Sequence, residues 1–151
     1  MIIRPAEVRD TDSIRAVIAA VDLFPAEMLD DMIAGFFAGT VPDLWFVAEA
    51  TSDILAFGFC EPERMTDGKW NLLAIGVLPD RQGQGVGAAM LKYLEATLAN
   101  IGARVLIVET MGTAELKATR RFYLANDFVA EARIREFYEA GADKVVFWKH
   151  L

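Results

Sequence analysis

The chain has 151 residues, 54% of them hydrophobic and 25% charged, and this length suits a single domain, residues 1–151, around one core. The net charge of −7 argues against nucleic acid as a partner, because phosphate binding needs a basic surface. One cysteine excludes an internal disulfide, and one histidine leaves no zinc-type ligand set, so we expect chemistry without a metal. No basic and apolar leader opens the chain, and its apolar runs are too short to span a bilayer, so we expect a soluble cytoplasmic protein without a membrane partner.

The first half of the chain predicts a strand, two helices and an antiparallel meander. Residues 1–4 form a short strand, and Asp10 or Asp12 caps a helix whose apolar residues recur at helical spacing. A second, unusually apolar helix covers residues 24–39. Short turn-rich links favour antiparallel pairing of the three extended segments that follow, at 44–50, 54–61 and 70–78.

The second half predicts alternating helices and strands. A helix covers 86–101, a buried strand covers 104–110, and a last helix covers 115–127. Two closing strands follow at 128–138 and 144–150. A strand, a helix and a strand in succession imply a parallel pair, so the expected fold class is α/β with a mixed central sheet.

Three glycines stand at alternate positions, 83, 85 and 87, where the link from the strand at 70–78 enters the helix at 86–101. Glycine lets the backbone approach a ligand closely, and the first N–H groups of a helix are free to bind an anion. A phosphate is therefore the expected ligand. A Walker loop is excluded, because no Gly-Lys-Ser/Thr closes the motif.

A dinucleotide fingerprint is the competing interpretation of this loop. Gly83, Gly85 and Ala88 satisfy G-x-G-x-x-G/A, and Glu109 ends the next strand where a ribose-binding acid is expected. However, residues 79–82 separate the strand from the first glycine, whereas a dinucleotide turn leaves its strand directly. A single strand-helix-strand unit after a meander also does not make two mononucleotide-binding halves.

The segment QGQGVG, residues 82–87, fits the pattern Q/R-x-x-G-x-G/A. Preceded by AIGVLPD and followed by AAMLKYLEATL, it resembles the coenzyme A pyrophosphate loop of the GNAT superfamily of N-acetyltransferases. The resemblance covers nearly the whole chain: IIRPAEVRD is similar to the first strand and turn of the family, and ATRRFYLANDF to its F-Y-x-x-x-G-F segment. MTDGKWNL, TRRFY and ARIREFYEAGADKVVFWK are similar to segments of small bacterial GNAT proteins. The resemblance implies the GNAT fold, with about seven strands, a splayed parallel pair and about four helices.

The same resemblance implies acetyl-CoA as the cosubstrate, held mainly by backbone groups. Arg81 would reach a phosphate at the nucleotide end, and the strand end with Ile75 and Val77 would pair with the pantetheine arm. A backbone N–H near Val77 would then polarise the thioester carbonyl. The amides implied to hold the pyrophosphate are those of Gln82, Gly83, Gln84, Gly85, Val86 and Gly87.

Two positions depart from the family pattern. Leu116 stands where the family has an asparagine that contacts pantetheine, which removes one expected hydrogen bond to the cofactor. Asp127 stands where a glycine usually precedes the closing phenylalanine, so a residue with a side chain must adopt or avoid a left-handed cap.

Tyr123 is the candidate general acid. A phenol is protonated at neutral pH and can donate a hydrogen bond to the leaving thiolate. The amine acceptor must lose a proton before it attacks, and Glu61, Glu109 or a water is the candidate base. Cys60 is interpreted as a small buried residue and not as a nucleophile.

The residues together predict an acetyl-CoA-dependent N-acetyltransferase that transfers the acetyl group directly to a primary amine of a small-molecule acceptor. The alternative is a non-catalytic module that binds a dinucleotide or acyl-CoA, and a third possibility is an interaction protein on a GNAT scaffold. The sequence leaves homodimer formation open. Trp70 and Asn71 are candidates for the acceptor pocket. Other candidates for that pocket are Phe24, Phe36 and Phe37, with negative charge from Asp22, Glu27, Asp30 and Asp31.

Overall fold

Seven strands form one mixed sheet in the computed structural model, which describes residues 1–151. Their order across the sheet is β1-β2-β3-β4-β5-β7-β6. Every neighbouring pair is antiparallel except β4 and β5, which run parallel, as predicted. The strands are β1 (Ile2–Pro5), β2 (Leu44–Ala50), β3 (Asp53–Pro62), β4 (Lys69–Val77), β5 (Val105–Met111), β6 (Val129–Glu139) and β7 (Ala142–His150).

Four α-helices cover the two faces of this sheet, and a short 3₁₀ turn precedes each of the first two and the last. The predicted helix at 24–39 is a 3₁₀ turn at Ala26–Met28 followed by an α-helix, and the one predicted at 115–127 ends earlier, at Ala125. None of these helices is long and apolar enough to cross a membrane. The helices are α1 (Thr11–Val21), α2 (Leu29–Ala38), α3 (Val86–Asn100) and α4 (Lys117–Ala125).

The core is divided by the sheet into two layers, because successive strand residues point to opposite faces. One layer packs α3 and α4 against residues such as Trp70, Leu72 and Phe147. The other packs α1 and α2 against residues such as Trp45 and Phe57. The expectation that Trp70 shares an acceptor pocket with Phe24, Phe36 and Phe37 is wrong, since those three pack on the opposite layer.

The β4 strand is irregular on both of its edges. It pairs with β5 only over Lys69–Asn71, so the two strands diverge beyond that point. Towards β3, Phe59 pairs with Ala74 and Cys60 pairs with Leu72, which leaves Leu73 as the extra residue of a β-bulge. The Leu73 side chain is 46% exposed. The sheet therefore opens in its middle, next to the bulge.

Candidate active site

A groove of about 760 Å³ lies where β4 and β5 diverge. Its walls come from β4 between Leu72 and Val77, from β5 at Val108–Thr110, from α4, and from the glycine loop. A second cavity, of about 520 Å³, lies between α1 and α2 and contains the Arg15–Asp30 ion pair. Only the first joins the glycine loop to the candidate acid and one candidate base.

Gly83 and Gly85 both line the groove. Their φ angles, +73° and +83°, lie in the left-handed region that side chains disfavour. A Cβ atom at either position would meet no protein atom within 4 Å, so the space beside them is open. Gly85 directly precedes α3 and no side chain caps that helix, which leaves its first N–H groups free. This backbone is suited to an anion, and anion binding at this loop stays a prediction.

Gly87 serves a different purpose. A Cβ atom there would lie 3.0 Å from Cζ of Phe122, so glycine allows α4 to pack against the first turn of α3. The loop before it is held by side chains: Gln82 donates from Nε2 to the Val77 carbonyl at 3.0 Å, and Gln84 donates to the Asp80 carbonyl at 3.1 Å. These bonds fix the loop relative to the end of β4.

Tyr123 has a buried ring at the wall of the groove. It is 3% exposed, and its ring centroid lies 5.3 to 5.6 Å from those of Phe122, Phe128 and Phe147. The hydroxyl makes no hydrogen bond within the protein, and Tyr123 is one of the residues that line the groove. Burial raises the pKa of the phenol above its ordinary value, which keeps the proton in place at neutral pH.

Glu109 lines the same groove and is held by two donors. Its Oε1 accepts a hydrogen bond from Asn71 Nδ2 at 3.3 Å, and its Oε2 lies 2.6 Å from Lys144 Nζ. Lys144 in turn lies over the Phe137 ring, 4.2 Å from its centroid. The carboxylate is thus fixed in orientation at the divergence of the strands.

Glu61 does not line the groove. It lies near the end of β3, opposite Asn71 on β4. Burial raises the pKa of its carboxyl group, and the negative charges of Asp43 and Glu63 raise it further. The structure therefore brings Tyr123 and Glu109 together in one groove and leaves Glu61 apart.

The remaining sequence candidates have clear positions. Arg81 and Leu116 both line the groove, so an apolar side chain stands where the family pattern has an asparagine. Asp127 adopts the left-handed conformation, with φ of +68°. Cys60 is buried, and burial raises the pKa of its thiol, which agrees with a packing role.

Sequence reasoning missed two features of the site and named a third residue, Asn71, only as a candidate for the acceptor pocket. The bulge at Leu73 lies in an unbroken apolar run, WNLLAIGVL, which gives no local signal of an extra residue. Lys144 comes from a strand distant in sequence. Asn71 did carry a signal, because it is a polar residue in an apolar strand, and the structure gives it a role as a buried contact between two carboxylates.

Comparison with known proteins agrees with this geometry. The family model described as an acetyltransferase (GNAT) domain matches residues 42–130. An uncharacterised N-acetyltransferase of Methanocaldococcus jannaschii is 26% identical over 149 residues, which cover 99% of this chain and 91% of that protein. A crystal structure of a protein from Desulfovibrio desulfuricans assigned to the GNAT acetyltransferases superposes with a TM-score of 0.90 at 28% identity, covering 99% and 98% of the two chains.

More distant structures share the fold. An aminoglycoside 6'-N-acetyltransferase complexed with coenzyme A has a TM-score of 0.80 at 15% identity, covering 99% of this chain and 97% of that one. A Salmonella typhimurium protein with acetyl-CoA as its cofactor has a TM-score of 0.83 at 18% identity, covering 100% and 94% of the two chains. Because the family model spans more than half of the chain, the protein belongs to the GNAT family and is an N-acetyltransferase.

Proposed function

We propose that this enzyme transfers the acetyl group of acetyl-CoA directly to a primary amine of a small-molecule acceptor in the groove between β4 and β5. One observation carries the proposal: the open glycine loop, the unpaired edge of β4 and Tyr123 all line a single groove. A non-catalytic binding module would need the loop and the strand edge, but it would not need a free phenol beside a fixed carboxylate.

The groove has features that fit a coenzyme A thioester. The free space beside Gly83 and Gly85 and the free N–H groups at the start of α3 suit a pyrophosphate, and Arg81 offers a cation on the same rim. The unpaired edge of β4, which includes Ile75 and Val77, offers backbone donors and acceptors to an extended chain of amides. Two proteins of the same fold, solved with coenzyme A and acetyl-CoA, support this assignment.

Leu73 is the proposed source of the donor at the acyl end. Val77 lies next to the phosphate loop, through the Gln82 hydrogen bond, so it suits the nucleotide-proximal half of the arm. The extra residue of a bulge leaves the strand ladder, and Leu73 lies at the opposite, deep end of the unpaired edge. We therefore propose that the Leu73 N–H, and not one near Val77, polarises the thioester carbonyl.

Two side chains are proposed to move the protons. Acetyl-CoA, when bound, supplies an acyl group activated as a thioester. Glu109 accepts a proton from the amine, directly or through a water, and the Tyr123 hydroxyl donates to the departing sulfur. A protonated amine loses one proton to Glu109 before it attacks and a second as the amide forms. The sulfur gains one through Tyr123, which is then reprotonated, so the net reaction releases one proton to solvent. The raised pKa keeps the Tyr123 phenol protonated, and its hydrogen bond strengthens as the C–S bond breaks because negative charge builds on the sulfur.

A two-part assay tests this function. The purified enzyme is incubated with acetyl-CoA and a panel of primary amines while free thiol is measured, and its melting temperature is recorded with acetyl-CoA, NAD, NADP or ATP at equal concentrations. We expect amine-dependent thiol release and a melting-temperature increase with acetyl-CoA only, because a ligand that binds the native state stabilises it. Equal stabilisation by NAD would contradict acetyl-CoA as the cosubstrate, and stabilisation without thiol release from any amine would favour a binding module.

A further inference from the structure

The strand β6 is an edge of the sheet that the rest of the protein leaves uncovered. All 11 of its residues are exposed, and neither core layer includes any of them. It lies outside β7 in the strand order, beyond the strands that α1 and α2 cover. The other edge strand, β1, has only 4 residues. An edge strand has unpaired N–H and C=O groups along its outer side, so β6 offers one long backbone edge for pairing.

Large apolar side chains are concentrated on this open strand. Four of them are 40% to 50% exposed, whereas no other strand exposes more than one large apolar side chain. They are Val129, Ile134, Phe137 and Tyr138. A group of exposed apolar side chains on one element is typical of a surface that contacts another protein.

The accessible surface of the chain also exceeds what its mass predicts. A compact monomer of 16.7 kDa is expected to have about 7,600 Å² of accessible surface. This chain has 8496 Å². The excess of about 900 Å² is close to the ~800 Å² that each partner contributes to a standard protein interface. The additional surface is therefore enough for one stable contact with a second copy.

The charges of β6 are self-complementary in one antiparallel register. Arg133 is paired with Asp143 at 2.8 Å, whereas Glu131 and Arg135 have no ion pair within 4.0 Å in the chain. If two β6 strands run antiparallel with their centre at Arg133, each Glu131 lies opposite the Arg135 of the other copy, and two opposite-charge pairs form. A centre at Ile134 would instead put Arg133 opposite Arg135. The free charges therefore suit a second copy of the same strand.

We propose that the protein forms a two-fold homodimer in which β6 of one copy pairs antiparallel with β6 of the other, centred on Arg133. Residues Ala132 to Ile134, around this centre, pair with β7 without interruption, so the outer edge of β6 is regular there. The two seven-stranded sheets become one continuous sheet, and the two-fold contact closes on itself. No residue of β6 lines the groove between β4 and β5, so the groove of each copy stays open. This inference does not depend on the proposed function.

Sedimentation equilibrium of the parent over a range of concentrations tests the dimer itself. The salt concentration is about 0.15 M, so that repulsion between two copies of net charge −7 is screened beyond ~8 Å. We expect a dimer whose Kd is micromolar or lower, as for other interfaces of this size. A protein that stays monomeric up to about 100 μM overturns the inference.

Charge reversal on β6 tests the register. Glu131→Arg and Arg135→Glu each put like charges opposite one another at two places, and we expect each to raise the dimer Kd by about tenfold. The double variant puts opposite charges together again and should return the Kd to within a few-fold of the parent. Glu27→Arg, in the exposed turn before α2, is the matched control and should leave the Kd unchanged. A single reversal without effect, or a double variant as weak as the single ones, overturns the inference.

Mixing the two single variants separates a broken contact from a misfolded chain. In a dimer of one Glu131→Arg chain with one Arg135→Glu chain, opposite charges again face each other at both places. We expect the equimolar mixture to dimerise with a Kd near that of the parent, although each variant alone is weaker. Melting curves check that each variant is folded. Folded variants that dimerise no better in the mixture than alone overturn the proposed pairing.

Discussion

At the scale of single residues, Tyr123 shows how one side chain can serve packing and chemistry together. Three aromatic rings fix its ring, so the direction of the hydroxyl is set by the core and not by a hydrogen bond. A hydroxyl without a partner in the protein is free to bond with a ligand in the groove. The packing of the ring therefore positions the donor in advance.

We expect Tyr123→Phe to lower turnover by about 10²- to 10⁴-fold while acetyl-CoA affinity changes little, because the lost interaction forms mainly as the sulfur leaves. Turnover is measured with saturating acetyl-CoA and the best acceptor, and affinity by calorimetry. Tyr93→Phe is the matched control, since Tyr93 packs on the same core layer but does not line the groove. Turnover of Tyr123→Phe within a few-fold of the parent would make this residue purely structural.

At the scale of elements, the glycine loop and α3 act together. The loop opens the backbone, and the helix presents its free N–H groups and the positive end of its dipole to the same space. Gly102, just beyond the other end of α3, shares the left-handed conformation and the open surroundings of Gly85. Unlike Gly85, it does not line the groove. Substitutions at the two glycines therefore distinguish the cost of a strained backbone from the loss of ligand binding.

We expect Gly85→Leu and Gly102→Leu each to lose about 1–2 kcal/mol of unfolding free energy, because both force a side chain into the left-handed region. Only Gly85→Leu should also lose the melting-temperature increase with acetyl-CoA, since its side chain would occupy the space of the pyrophosphate. Denaturant titrations and melting curves with and without acetyl-CoA measure the two effects. An intact ligand response in Gly85→Leu would place the pyrophosphate elsewhere.

At the scale of the whole molecule, Arg4 connects β1, β2 and the start of α1. Its guanidinium makes two hydrogen bonds to Asp10, at 2.7 and 3.0 Å, and one to Glu49 at 3.0 Å. Asp10 also accepts from the Glu7 backbone N–H at 2.8 Å. The Arg4 hydrogen bonds are the main reason that the pKa of Asp10 lies below its ordinary value.

This ion pair predicts how stability depends on pH. Because the pKa of Asp10 is lowered in the folded state, its contribution is complete above the ordinary value of 3.8 and is lost as pH falls below it. We expect Asp10→Asn to cost about 2 kcal/mol of unfolding free energy at neutral pH, and the difference from the parent to shrink in acid. Urea titrations at several pH values measure this difference. Asp12→Asn, at a fully exposed neighbour, is the control, and a pH-independent cost for Asp10→Asn would show that charge is not the cause.

The sequence by itself determined the features that depend on near neighbours in the chain. Apolar spacing predicted the helices and strands, because a helical or extended backbone fixes which nearby residues share a face. The three glycines predicted an open loop before α3, because left-handed backbone and free N–H groups follow from a few consecutive residues, and anion binding there stays a prediction. The alternation of strand and helix predicted the parallel pair of β4 and β5.

The tertiary structure alone decided the features that depend on pairing between distant segments. Trp70 and Asn71 are neighbours in sequence, yet one packs in the core beneath α3 and the other contacts Glu63 and Glu109, and only the sheet identifies those partners. The bulge at Leu73 and the divergence after Asn71 depend on the register with β3 and β5. A shift of one residue in that register would turn each of these side chains to the opposite face, and the register is fixed by packing across the whole sheet and not by the local sequence.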